Sequence, residues 1–64
     1  MTPVEQFTAD AAARIKEADD YAHDAMAASA AGRFSEFWDK QIKAAQSRME
    51  ANGEQAIANA NAGP

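Results

Sequence analysis

The chain contains no cysteine and a single histidine, with two prolines and three glycines in 64 residues. The missing cysteine removes disulfides and thiolate metal ligands, and leaves the redox compartment undetermined. One histidine, His23, is too few for the usual zinc cages. No run approaches the roughly 20 apolar residues that a bilayer span requires. Basic residues are also scarce, six against ten acids for a net charge of −4. Direct nucleic-acid binding rests on phosphate neutralisation by Lys and Arg and does not fit that balance. The opening residues Met1-Thr2-Pro3-Val4-Glu5 lack the basic segment and apolar core of a signal peptide. The expected location is therefore cytoplasmic or within a virus or phage particle.

What is present is alanine, 18 residues of it, and one aromatic cluster, Phe34, Phe37 and Trp38, directly after Gly32. A chain this short buries only about 60% of its unfolded surface. Lacking disulfides and metal, it needs oligomerisation or a docking partner to become stable.

The charge is unevenly spread. Residues 1–30 carry six acids against Arg14 and Lys16, giving −4; residues 31–50 carry four bases against three acids, giving +1; Glu54 adds the last −1. An acidic first helix beside a mildly basic second one fits this pattern.

Helix 1 is expected over about residues 3–30. Thr2 is placed as N-cap, Pro3 at the first helical position, and Glu5 three residues after the cap, the pattern of a capping box. Val4, Phe7, Ala11, Ile15, Ala18, Ala22, Met26 and Ser29 recur at steps of three and four, close to the 3.6-residue period of an amphipathic helix. Ala31-Gly32 supplies the stop, glycine suiting the left-handed position after a helix end. Helix 2 is expected over about residues 34–52, with Phe34, Trp38, Ile42, Ala45, Met49 and Asn52 on one stripe. Asn52-Gly53 reads as its end, and residues 54–64 as an Ala/Asn-rich tail, partly helical. The units are thus 1–53, a helical hairpin, and 54–64, a tail or short third helix.

Folding back at Gly32 sets Trp38 near Ala25 and Met26, Ile42 near Ala22, Ala45 near Ala18, and Met49 near Ile15. Large residues then face small ones, as dense packing prefers. The expected fold is an all-α, two-helix antiparallel hairpin completed by oligomerisation or docking; the alternative is one continuous helix in a larger bundle, where Gly32 costs about 1 kcal/mol. Neighbouring helical residues point about 100° apart, so with Phe34 and Trp38 on the inner stripe, Phe37 is left outward. Phe37, Ala44 and Ala51 form a second, weaker face, and Tyr21 flanks the stripe of helix 1.

Chemistry has little support. Asp20 and His23 have the i, i+3 spacing used with glutamate in di-iron bundles, but they lie about 170° and 110° from the middle of the stripe. No second motif supplies further ligands, so the segment reads as a solvated acidic face, with Asp19 and His23 placed to pair at i, i+4. Ser29, Ser35 and Ser47 lack a positioned base, and the glycines form no phosphate-cradling loop. Neither helix joins a basic face to a bulky apolar one, which disfavours a membrane-surface role. No catalytic, cofactor or metal residues are assigned.

The expected function is a non-enzymatic structural or assembly subunit, packing with itself or a larger scaffold, in the style of a phage or viral particle component. Phe34, Phe37, Trp38, Ile42 and Tyr21 are the expected partner-binding residues. The competing expectation is a small acidic regulator that binds a basic protein surface through Glu17, Asp19, Asp20 and Asp24 of helix 1.

Overall fold

The computed structural model describes residues 1–63. It holds two helices, α1 (Pro3–Ala30) and α2 (Phe34–Ala62), packed against each other as an antiparallel hairpin. No helix is long and apolar enough to cross a membrane.

Alanine, the best helix former, is abundant in both elements. At the start of α1, the Glu5 amide donates to Thr2 Oγ1 at 3.1 Å, and Pro3 occupies the first turn where its missing N–H is harmless. Only the threonine arm of the expected capping box is formed among the described residues. The end of α1 is fixed by Gly32 at φ 76°. There the Arg33 amide donates to the Ala28 carbonyl at 2.8 Å and the Gly32 amide to the Ser29 carbonyl at 3.0 Å. This pair of bonds is the Schellman motif, and it satisfies carbonyls that the helix end would otherwise leave open. It turns the chain within three residues, so α2 starts at once beside α1.

The second helix runs further than its sequence suggests. Asn52-Gly53 does not end it; the helix continues through the expected tail to Ala62, and Pro64 lies outside the described residues. Gly53 costs about 1 kcal/mol in a helix, which the flanking seam residues Ala51 and Ala58, both buried, offset by packing on α1. Gln55 donating to Asn59 and Asn61 donating to the Ile57 carbonyl add local support.

The seam between the helices is made of alanine. Ala11, Ala18, Ala25 and Ala28 are buried on α1, and Ala44, Ala51 and Ala58 on α2, joined by Ser47. Three alanines on each helix recur every seven residues, the repeat that keeps one narrow row facing a partner helix along its whole length. The half-buried residues Val4, Phe7, Arg14 and Tyr21 complete the seam of α1; Phe37, Lys40 and Glu54 complete that of α2.

This corrects the expected packing. Phe34, Trp38, Ile42 and Met49 are exposed, Trp38 by 62% and Met49 by 73%, and so is Met26. The face rated weaker, Phe37-Ala44-Ala51, is the one that meets α1. The physical reason is spacing and size together. A stripe drawn at 3.6 residues drifts around the helix, whereas two long helices stay in contact only along a 3.5-residue row. Along that row the sequence offers alanine, which lets the backbones approach closely. The register along the hairpin agrees more closely with expectation: Ser47 meets Glu17 and Glu50 meets Arg14, stepping three residues down one helix for three up the other.

Candidate assembly surface

The alanine seam divides the hairpin into two unlike sides. One is charged, with a groove lined by Asp10, Ala13, Arg14, Glu17 and Glu54. Ser47 Oγ donates to Glu17 Oε1 at 3.1 Å, Arg14 reaches Glu17 at 3.5 Å, and Arg14 Nε meets Glu50 at 3.2 Å across the helices. These groups tie the hairpin together on that side. One carboxylate oxygen of Glu54 is buried there without a hydrogen-bond partner.

The other side is mostly apolar. Its groove is lined by Thr8, Ala11, Ala12 and Ile15 of α1 and by Ala51, Asn52 and Gln55 of α2. Residues seven apart share a direction in such a pair of helices. Ala22 therefore continues the row of Ile15, Met26 the row of Ala12, Trp38 and Ala45 the row of Asn52, and Phe34 the row of Gln55. Ile15, Met26, Phe34 and Trp38 are all exposed on this side. Its three charges, Arg48 in the row of Gln55 and Glu5 and Asp19 in the row of Ala12, form no ion pair among the described residues.

The five expected partner-binding residues separate accordingly. Phe34 and Trp38 lie on the apolar side, exposed by about three-fifths. Ile42 is also exposed, two positions before seam residue Ala44 and hence about 200° round the helix, at the outer back of α2. Phe37 and Tyr21 are half-buried. Phe37 is not the outward aromatic: it sits in the seam row and meets the Trp38 ring edge-on, centroids 5.0 Å apart, a favoured aromatic geometry. Tyr21 is covered from α2 by Lys40, whose Nζ lies 5.5 Å from the ring centroid and within cation–π range. Ile15 and Met26, assigned by pattern to the inner stripe, join the exposed side instead. The sequence did carry the signal that would have placed them, the seven-residue alanine spacing, but alanine gives weak contrast beside bulky apolar residues.

The residues weighed for chemistry on α1, Asp19, Asp20, His23 and Asp24, form no metal-ligating group among the described residues. Asp20 is held by Lys16 at 3.1 Å, and His23 and Asp19 are not paired with each other among the described residues.

No family model matches the chain, and no curated protein or solved structure matches it.

Proposed function

We propose that this chain is a non-enzymatic assembly subunit, a helical hairpin that presents its apolar side to a protein partner, either itself or a larger scaffold such as a particle. One observation carries the reading: the large apolar side chains Ile15, Met26, Phe34 and Trp38 stand exposed on one side, while the hairpin's own core is built of alanine. Each buried alanine methyl contributes on the order of 0.8 kcal/mol, little against the cost of ordering two long helices. Covering Trp38 and its neighbours supplies burial that the hairpin alone lacks. Tryptophan and arginine are enriched where protein interfaces carry most of their energy, and Trp38 and Arg48 share this side.

The test compares the wild type with Trp38→Ala and with Asp20→Asn/Asp24→Asn in pull-down from the native source and in sedimentation. Assembly through the apolar side predicts that Trp38→Ala loses association and that the acidic variant keeps it, with little response to added salt. The opposite pattern, loss with the acidic variant and strong weakening by salt, transfers the function to the acidic regulator.

A further inference from the structure

We propose that the occupant of the apolar side is a second copy of this chain, related by a two-fold axis parallel to the helices. α1 of each copy then lies on α2 of the other and closes an antiparallel four-helix bundle. This rests on reading that side as an assembly surface, and adds its occupant and register.

The dimensions favour a partner of equal length. The hairpin measures 50 × 15 × 11 Å between Cα atoms, so its broad side offers about 750 Å², close to the ~800 Å² per partner of a standard interface. Its accessible surface is 4419 Å², against roughly 4,000 Å² for a folded monomer of its mass. Its radius of gyration of 14.6 Å far exceeds the ~10.7 Å of a 64-residue globule and is close to the ~13.9 Å of one twice as long.

The charges favour a like partner. The chain carries −4, yet the apolar side holds only one base, Arg48, and two acids, Asp19 and, at the end far from the turn, Glu5. A second copy therefore meets a net charge of only −1 there, with Arg48 and Asp19 in balance and Glu5 at the open end. The turn ends choose the axis: Met26, Phe34 and Trp38 crowd the Gly32 end, whereas Thr8, Asn52 and Gln55 occupy the other. An axis along the helices puts like ends together, apolar on apolar. The alternative axis, across the helices, sets the aromatics against the polar end. With like ends together Trp38 lies over Met26 of the other copy, a pairing that each hairpin leaves unmade internally. Arg48 then lies three residues, ~4.5 Å, from the level of the other copy's Asp19, a gap the long arginine side chain spans.

Sedimentation equilibrium at micromolar concentration gives the first reading, a dimer expected. Because the chain has no cysteine, Ser35→Cys on exposed Ser35 near the turn takes a single spin label. Like ends together place the two labels within about 30 Å, a little over two helix diameters. The alternative axis separates them by nearly the 50 Å length of the hairpin and overturns the arrangement. Arg48→Asp and Asp19→Arg are each expected to weaken the dimer roughly tenfold by juxtaposing like charges, and the double variant to restore it; failure of the double variant to recover also overturns the register. A wild-type monomer overturns the second copy as occupant. If that monomer still associates with another protein through Trp38, only this proposal fails; if Trp38→Ala changes no association of any kind, the assembly reading fails with it.

Discussion

Ser47 donates its hydroxyl to Glu17 across the helix seam at 3.1 Å, the one side-chain hydrogen bond that joins the two helices among the described residues. Ser47 is buried among alanines, and Glu17 is half-buried and also engaged by Arg14, which continues to Glu50. The alanine rows of the seam repeat every seven residues, so alanine packing alone permits sliding by a heptad. The Ser47–Glu17 bond and the Arg14–Glu50 pair each occur at a single level and so mark one register.

Replacing Ser47 by Ala keeps the seam's shape and improves helix propensity by a few tenths of a kcal/mol, but deletes a bond to a charged acceptor. The expected net loss is about 1 kcal/mol, read by urea unfolding at fixed protein concentration. Ser35→Ala on the exposed surface is the control and is expected to be neutral or slightly stabilising. Equal effects at the two positions would remove the register role of Ser47.

The seam position and its neighbour can be told apart by size. Ala44 is fully buried and Ala45 exposed. Ala44→Leu pushes the helices apart and is expected to cost about 1–3 kcal/mol. Ala45→Leu leaves the hairpin's own stability within about 0.5 kcal/mol. The packing expected from the 3.6-residue stripe demands the reverse order, so chemical denaturation of the pair decides between the two faces.

Glu54 contributes a carboxylate oxygen buried without a partner, in a groove it shares with Asp10 and Glu17. Glu54→Ala removes that unpaired acceptor and adds a better seam residue. Stability is expected to rise by about 1 kcal/mol, or some 4–8 °C in Tm for a chain this small. A fall in Tm would mean that Arg14 or water compensates the carboxylate more fully than the geometry indicates.

The two internal glycines should respond in opposite directions. Gly53 is helical with open space where a Cβ would stand, whereas Gly32 is held at φ 76°. Gly53→Ala is expected to stabilise by about 0.5–1 kcal/mol. Gly32→Ala strains the turn by about 1–2 kcal/mol despite equally free space. Thermal melts followed by circular dichroism at matched concentration read both.

Much of the fold is legible in local signals. Thr2-Pro3 marks where α1 begins, Ala31-Gly32 where it ends, and abundant alanine gives helix on both sides of the turn. These features act within a few residues, through capping bonds and backbone sterics, so the sequence by itself determined the two helices and their antiparallel return. The far end of α2 is different. Asn52-Gly53 has the composition of a stop, and the packing of Ala51 and Ala58 on α1, with local hydrogen bonds from Gln55 and Asn61, carries the helix past it.

The facing of the helices was likewise a tertiary decision. Phe34, Trp38 and Ile42 form the stronger apolar stripe, and burial alone would send it inward. In a two-helix pair, however, the energy of contact depends on how long the contact can be kept and how closely the backbones approach. The alanine row repeating every seven residues wins on both counts, and it turns the bulky stripe outward. Trp38 thereby passes from core residue to surface residue, and Phe37 the other way. That exchange, set by spacing and side-chain volume between helices rather than within one, produced the apolar side on which the functional proposal rests.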